Sequence, residues 1–151
     1  MPQTVAVTAP SRVTAASRSA ARSAHSVPAA RAVVAATTTR ATGTEWADYA
    51  TDLDAAVDRL RAVTATLWGT DDPDLALANA SAYLDATGHV VVAWLWLEQA
   101  LATGNATDDF RQGKRAAARY FQRYELPTVH THLDLLESLD RTVLDTPETW
   151  L

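Results

Sequence analysis

At 151 residues, with 48% hydrophobic side chains, the chain is sized for one domain with a core of its own. It has no cysteine, which excludes a disulfide framework, a thiol nucleophile and a Cys-based zinc site. Charge is unevenly divided: residues 1–44 carry five Arg and no acid, while the rest carries eight basic and eighteen acidic side chains, an acidic body ill-suited to nucleic acid.

Residues 1–43 are almost entirely Ala, Ser, Thr, Val, Arg and Pro. With no large aromatic and almost no large aliphatic side chain, they read as a disordered tail unable to offset its ordering entropy. An Arg-rich, Ser-rich, acid-free start also has the composition of an organellar transit peptide, but Pro2 and Pro10 interrupt it and no amphipathic stripe is visible. The alternative is a non-native leader. No apolar h-region marks it as a secretory signal.

Folded sequence is expected from Thr44, a plausible N-cap. Trp46, Tyr49, Leu53, Val57, Leu60, Val63 and Leu67 recur at steps of three and four, with Asp48, Asp52, Asp54 and Asp58 largely off the stripe. That pattern is an amphipathic helix ending near Gly69. Asp72 then caps a second helix with Pro73 at its first position. This helix is expected to run unbroken to about Ala102.

Its central stretch, Tyr83 to Leu101, is the most apolar in the chain. Tyr83, Thr87, Val90, Trp94, Leu97 and Leu101 form one face. Leu84, Gly88, Val91 and Leu95 form the next, and Ala82, Ala86, His89, Ala93, Trp96 and Ala100 a third. Only the strip through Asp85, Val92 and Gln99 is partly polar. A helix so apolar is expected to be buried on nearly all sides. Asp85, His89, Glu98 and Gln99 interrupt it too often for a membrane span, so no membrane is expected.

After the loop Thr103-Gly104-Asn105, Thr107 is expected to cap a third helix with the stripe Phe110, Gly113, Ala117, Tyr120, Phe121 and Tyr124. Pro127 should stop or kink it, because proline has no N–H to donate. A short helix follows, with Leu133, Leu136 and Leu139 inward. The end is expected to be irregular, with Trp150 as an anchor. The predicted fold is all-α: an antiparallel up-down bundle of three long helices and one short one behind a disordered N-terminal tail.

No catalytic constellation and no phosphate-binding glycine loop is visible. His130 and His132 are two apart, a spacing that points them to different sides of a helix and argues against a metal pair. His89 reads as a hydrogen-bonded core histidine, and Glu98 as a member of the polar strip rather than a buried base. Arg111, Arg115, Arg119 and Arg123 stand four apart, with Lys114 beside them. Like charges at that spacing repel by ~0.2–0.5 kcal/mol per pair, so the stripe needs anionic partners. Those are either acids of neighbouring helices or a phosphate-bearing ligand. Trp94 and Trp96 point about 200° apart on a helix of ~100° per residue, so they cannot face one neighbour, and they are candidate interface residues.

Two stretches, YLDATGHVVVAWLWLEQA and DDFRQGKRAAARYFQRYELP, resemble the C-terminal helical domain of a subgroup of acyl-CoA dehydrogenases, those similar to methylmercaptopropionyl-CoA dehydrogenase. The matching features are Tyr83-Leu84, Gly88-His89, Trp94-Leu95-Trp96-Leu97, Gly113-Lys114, Ala118-Arg119-Tyr120-Phe121 and Glu125-Leu126-Pro127. The resemblance is placed over 44–151 and not over 1–43. It implies an accessory domain of an FAD-dependent oxidoreductase of fatty acid metabolism, in the cytoplasm. The catalytic Glu and the flavin contacts belong, by the same resemblance, to other domains, so no catalytic, cofactor or metal residue is carried over. The implied fragment is catalytically incompetent alone, docked on an acyl-CoA dehydrogenase core or self-associated. The alternative is a free-standing helical bundle that binds a protein or a ligand.

Overall fold

A computed structural model describes residues 31–150. Their order is α1 (31–41), α2 (Ala47–Gly69), α3 (Pro73–Leu77), α4 (Ala80–Ala102), α5 (Asp109–Tyr120), a π-helical turn (Phe121–Glu125), α6 (Thr128–Glu137), α7 (Thr142–Asp145) and a closing 3₁₀ turn (Glu148–Trp150). No strand occurs among the described residues.

α4 is the hub and packs against α2, α5 and α6. Cross-links fix the directions. The Tyr49 hydroxyl donates to the Ala93 carbonyl at 3.1 Å, and Thr64 meets the Tyr83 hydroxyl at 3.0 Å, so α2 and α4 run antiparallel. Lys114 lies 5.2 Å from the Trp96 ring, while Phe121 lies 6.1 Å from His89, so α5 and its π-turn return along α4 in the same way.

The α2 stripe is buried as its spacing predicts: Trp46, Tyr49, Leu53, Val57, Val63 and Leu67 are all in the core, with Leu60 packed against it. Thr44 acts two positions ahead of the cap. Its hydroxyl accepts from the Trp46 N–H at 3.1 Å, although Trp46 occupies the cap position. Asp72 caps α3 by accepting from Asp74 and Leu75, with Pro73 first in the helix.

Five expectations are corrected. First, the composition of residues 31–41 predicts part of a disordered tail, but they form α1. Ala41, Thr37 and Thr38 are buried, because short side chains let this helix lie close on its neighbours and threonine hydroxyls satisfy polar partners there. Residues 1–30 lie outside the described residues. Second, Pro73 to Ala102 is not one helix. α3 ends at Leu77 and α4 begins at Ala80, and Asn79 between them donates from its side-chain amide to the Asp140 carbonyl at 2.9 Å. Third, the α5 cap is Asp108, not Thr107, accepting from the Arg111 N–H at 3.1 Å.

Fourth, the α5 stripe is rotated. Ala118 is buried, whereas Phe110, Tyr120 and Tyr124 are exposed, because the smallest residues allow the closest helix approach. The wider π-turn follows, with Leu126 N–H donating to Phe121 O at 2.9 Å. It shifts the register by one residue ahead of Pro127 and brings Leu126 and Val129 into the core. Leu133 and Leu136 are buried as expected, and Leu139 packs against them from a left-handed backbone with φ 51°. Fifth, Trp150 is 78% exposed and anchors nothing.

Candidate functional site

α4 departs most from expectation, and its departure defines the candidate site. Ala86, Val90, Ala93, Leu97 and Ala100 are buried. The face through Leu84, Gly88, Val91 and Leu95 is not: Leu84 is 68% exposed, Val91 46% and Leu95 44%. Full burial of α4 is thereby corrected. Three neighbouring helices cover one side and two flanks of a cylinder, which leaves the outward stripe in solvent. At ~1.5 Å rise per residue, Leu84 to Leu95 forms an apolar strip roughly 16 Å long. Asp85, Val92 and Gln99 flank it, all exposed.

The two tryptophans part as their spacing predicts, each toward its own neighbour. Trp94 faces α1, where its indole N–H donates to the Thr37 hydroxyl at 2.8 Å. Thr37 in turn donates to the Glu98 carboxylate, which also pairs with Arg40. These bonds, Arg40 and Thr37 first, hold the Glu98 carboxyl below its ordinary value. Glu98 is therefore an ionised tie between α1 and α4 rather than a proton acceptor poised near neutrality. Trp96 faces α5, half-buried beneath Lys114. Sequence reasoning missed the Trp94–Thr37–Glu98–Arg40 network because it set α1 aside; the indole of an otherwise apolar helix needing a partner was the available signal.

The arginine stripe divides among partners in its own chain. Arg111 pairs with its cap Asp108 at 2.9 Å. Arg115 donates to Thr103 at 2.9 Å and to the Gly104 carbonyl, closing the α4–α5 loop. Arg119 pairs with Glu45 and lies 5.2 Å from the Trp46 ring. Arg123 is exposed. A shallow cavity of about 420 Å³ lies on this helix, lined by Gln112, Gly113, Arg115, Ala116 and Arg119. Its two cations point their donors at partners already in place, so the geometry does not converge them on one anion.

The histidines do not gather. His89 donates from Nδ1 to the Asp85 carbonyl at 2.8 Å and stands 3.7 Å from Glu125, half-buried rather than core. His130 Nδ1 accepts from Arg59 at 3.3 Å. Arg59 also grips Asp134 and both oxygens of Glu137, clamping α2 to α6, and that grip lowers the Glu137 carboxyl from its ordinary value. Among the described residues, no three His, Asp or Glu side chains are placed to share a metal ion, and no helix is long and apolar enough to cross a membrane.

A second cavity, also about 420 Å³, opens between α1, α2 and α4 beside the bare stripe. Its walls are apolar, and Arg31 and Arg61 stand at its rim.

No curated protein and no solved structure matches the chain. A family model does, described as acetyl-CoA dehydrogenase C-terminal like, over residues 12–147. The match starts well ahead of Thr44, where the resemblance is placed from the sequence. It takes in α1 and most of the segment set apart as a tail or leader. The chain belongs to the acetyl-CoA dehydrogenase C-terminal-like family.

Proposed function

We propose that the chain serves as a helical accessory domain of an acyl-CoA dehydrogenase-type flavoenzyme, docked on the flavin-binding core through the outer face of α4. The observation that carries this reading is the bare strip Leu84–Val91–Leu95, on a helix whose other two apolar faces are packed. Contiguous exposed apolar surface on this scale is characteristic of interaction sites. It is also what a domain would retain if its neighbour supplied the missing cover.

The chain by itself is proposed to be catalytically incompetent. A flavin dinucleotide needs a donor-rich, cation-compatible cradle for its diphosphate, commonly a helix N-terminus. Here the N-termini of α2, α4 and α5 offer none. α2 begins beside Glu45 and Asp48, and α5 begins at Asp108 and Asp109. Carboxylates at those positions repel phosphate. α4 begins at Ala80 beneath the Asn79–Asp140 contact. On this reading the flavin is held by the core and not by this chain.

The test is light scattering across a dilution series, with Leu84→Gln/Leu95→Gln beside the parent. The parent should self-associate as concentration rises, because the bare strip pairs with itself when no core is present. The double variant should be monomeric, with unchanged helical circular dichroism. A parent that stays monomeric at every concentration, together with a double variant that unfolds, would show that the strip is part of the domain's own core. Purified chain should be colourless, and a stoichiometric flavin spectrum would overturn the incompetence.

A further inference from the structure

The cavity between α1, α2 and α4 is lined by Val33, Val34, Leu60, Val90, Val91 and Trp94, within a volume of about 420 Å³. That lies in the range of small-molecule sites, ~300–1,000 Å³. The polar groups on its walls are already satisfied. The Trp94 indole donates to Thr37, Thr87 donates to the Tyr83 carbonyl at 2.8 Å, and Thr64 donates to the Leu60 carbonyl at 2.7 Å while bonding the Tyr83 hydroxyl. The interior therefore asks nothing of a ligand except apolar surface.

The rim differs. Arg31 and Arg61 both reach the one carboxylate of Asp58, each at 3.3 Å. Two guanidiniums share one anion, and among the described residues neither has a second carboxylate within 4.0 Å. Residues 1–30 contain no Asp or Glu that could supply one. An apolar slot with a guanidinium pair at its mouth is complementary to one chemical class.

We infer that this cleft binds an amphiphilic monoanion, an aliphatic carboxylate whose tail enters between α1, α2 and α4 and whose head meets Arg31 and Arg61. The volume, within the range of small-molecule sites, accommodates an aliphatic tail of medium length. The site adjoins the outer strip of α4 and shares Val91 with it, but its rim of Arg31 and Arg61 lies off that strip and it does not rest on the docking reading.

The experiment is an amide NMR titration of the full chain with octanoate, 1-octanol and octylammonium, which share a tail and differ in head charge. Octanoate should bind about fivefold more tightly than octanol, a ratio set by exposed rather than buried cations, and octylammonium more weakly than either. Shifts should centre on Leu60, Val90 and Trp94. Arg61→Gln should abolish the preference for octanoate while leaving octanol binding unchanged. Val91→Trp, at the cleft edge, should weaken both. Leu84→Gln/Leu95→Gln should leave octanoate binding intact, which separates this site from the docking face. Equal affinities for the three probes, shifts centred on the outer strip, or no saturation below the micelle-forming concentration would each overturn the assignment.

Discussion

α2 and α4 are both 23 residues long, and both are stripes of apolar residues at helical spacing. On α2 the stripe stands against a background of aspartates, and the structure buries the face that the spacing selects. On α4 three faces are apolar and only one strip is polar, and the structure packs two of the apolar faces while leaving the third, through Leu84, Val91 and Leu95, in water beside the polar strip. The difference is physical. Periodicity names a buried face only where the other faces refuse burial, because desolvating a carboxylate costs far more than exposing a leucine. Where no face refuses, the neighbours decide.

The sharpest way to break this comparison is truncation on each side of it. Leu53→Ala on α2 and Leu97→Ala on α4 both remove fully buried side chains and should each cost ~2–5 kcal/mol in urea unfolding. Leu84→Ala on the bare strip should stay within about 0.5 kcal/mol when measured on dilute, monomeric protein. A Leu84→Ala loss matching that of Leu97→Ala would mean that α4 is covered on all sides.

A smaller effect tests what α1 contributes. Thr37→Val keeps shape but removes both the acceptor for Trp94 and the donor to Glu98, and it should cost about 1–3 kcal/mol. Unchanged stability, with unchanged hydrogen exchange at the Trp94 indole, would mean that α1 is not held as described. The buried Tyr49 hydroxyl, whose ionisation burial opposes, bonds a carbonyl of the helical ladder of α4. Tyr49→Phe should therefore cost only ~0.5–1.5 kcal/mol.

The smallest expected effect is in pH. Glu98 and Glu137 are held below their ordinary value of 4.5 by Arg40 with Thr37 and by Arg59, respectively. A depressed carboxyl binds fewer protons folded than unfolded. Its contribution is thus complete above about pH 4.5 and is lost as pH falls through the folded value. Both side chains are a third or more exposed, so solvent screens each pair and it contributes under ~1 kcal/mol. Arg59→Gln should lower urea midpoints at pH 6 and flatten their fall toward pH 3. A parallel fall in parent and variant would remove Arg59 from the acid response.

Much of the fold was legible in the chain: the α2 stripe, the Asp72–Pro73 start, the inward Leu133 and Leu136, and the divergence of Trp94 from Trp96. α1 was not, because an Ala/Thr/Val/Arg segment carries the composition of disorder, and its order comes from contacts with residues some sixty positions away. The arginine stripe was legible as a pattern but not in its partners. Glu45 lies 74 residues from Arg119, and no local spacing connects them.

What the sequence determined by itself is therefore the set of helices with strong local grammar, since capping, proline placement and polar interruption act within a few residues. The tertiary structure decided which apolar face of α4 remained bare, that α5 turned its alanine rather than its aromatics inward, and that α1 belonged to the domain. Each of those outcomes compares burial among alternatives that are locally equivalent. Only the shape of the surrounding helices, and the closeness with which small side chains let them approach, distinguishes one alternative from another.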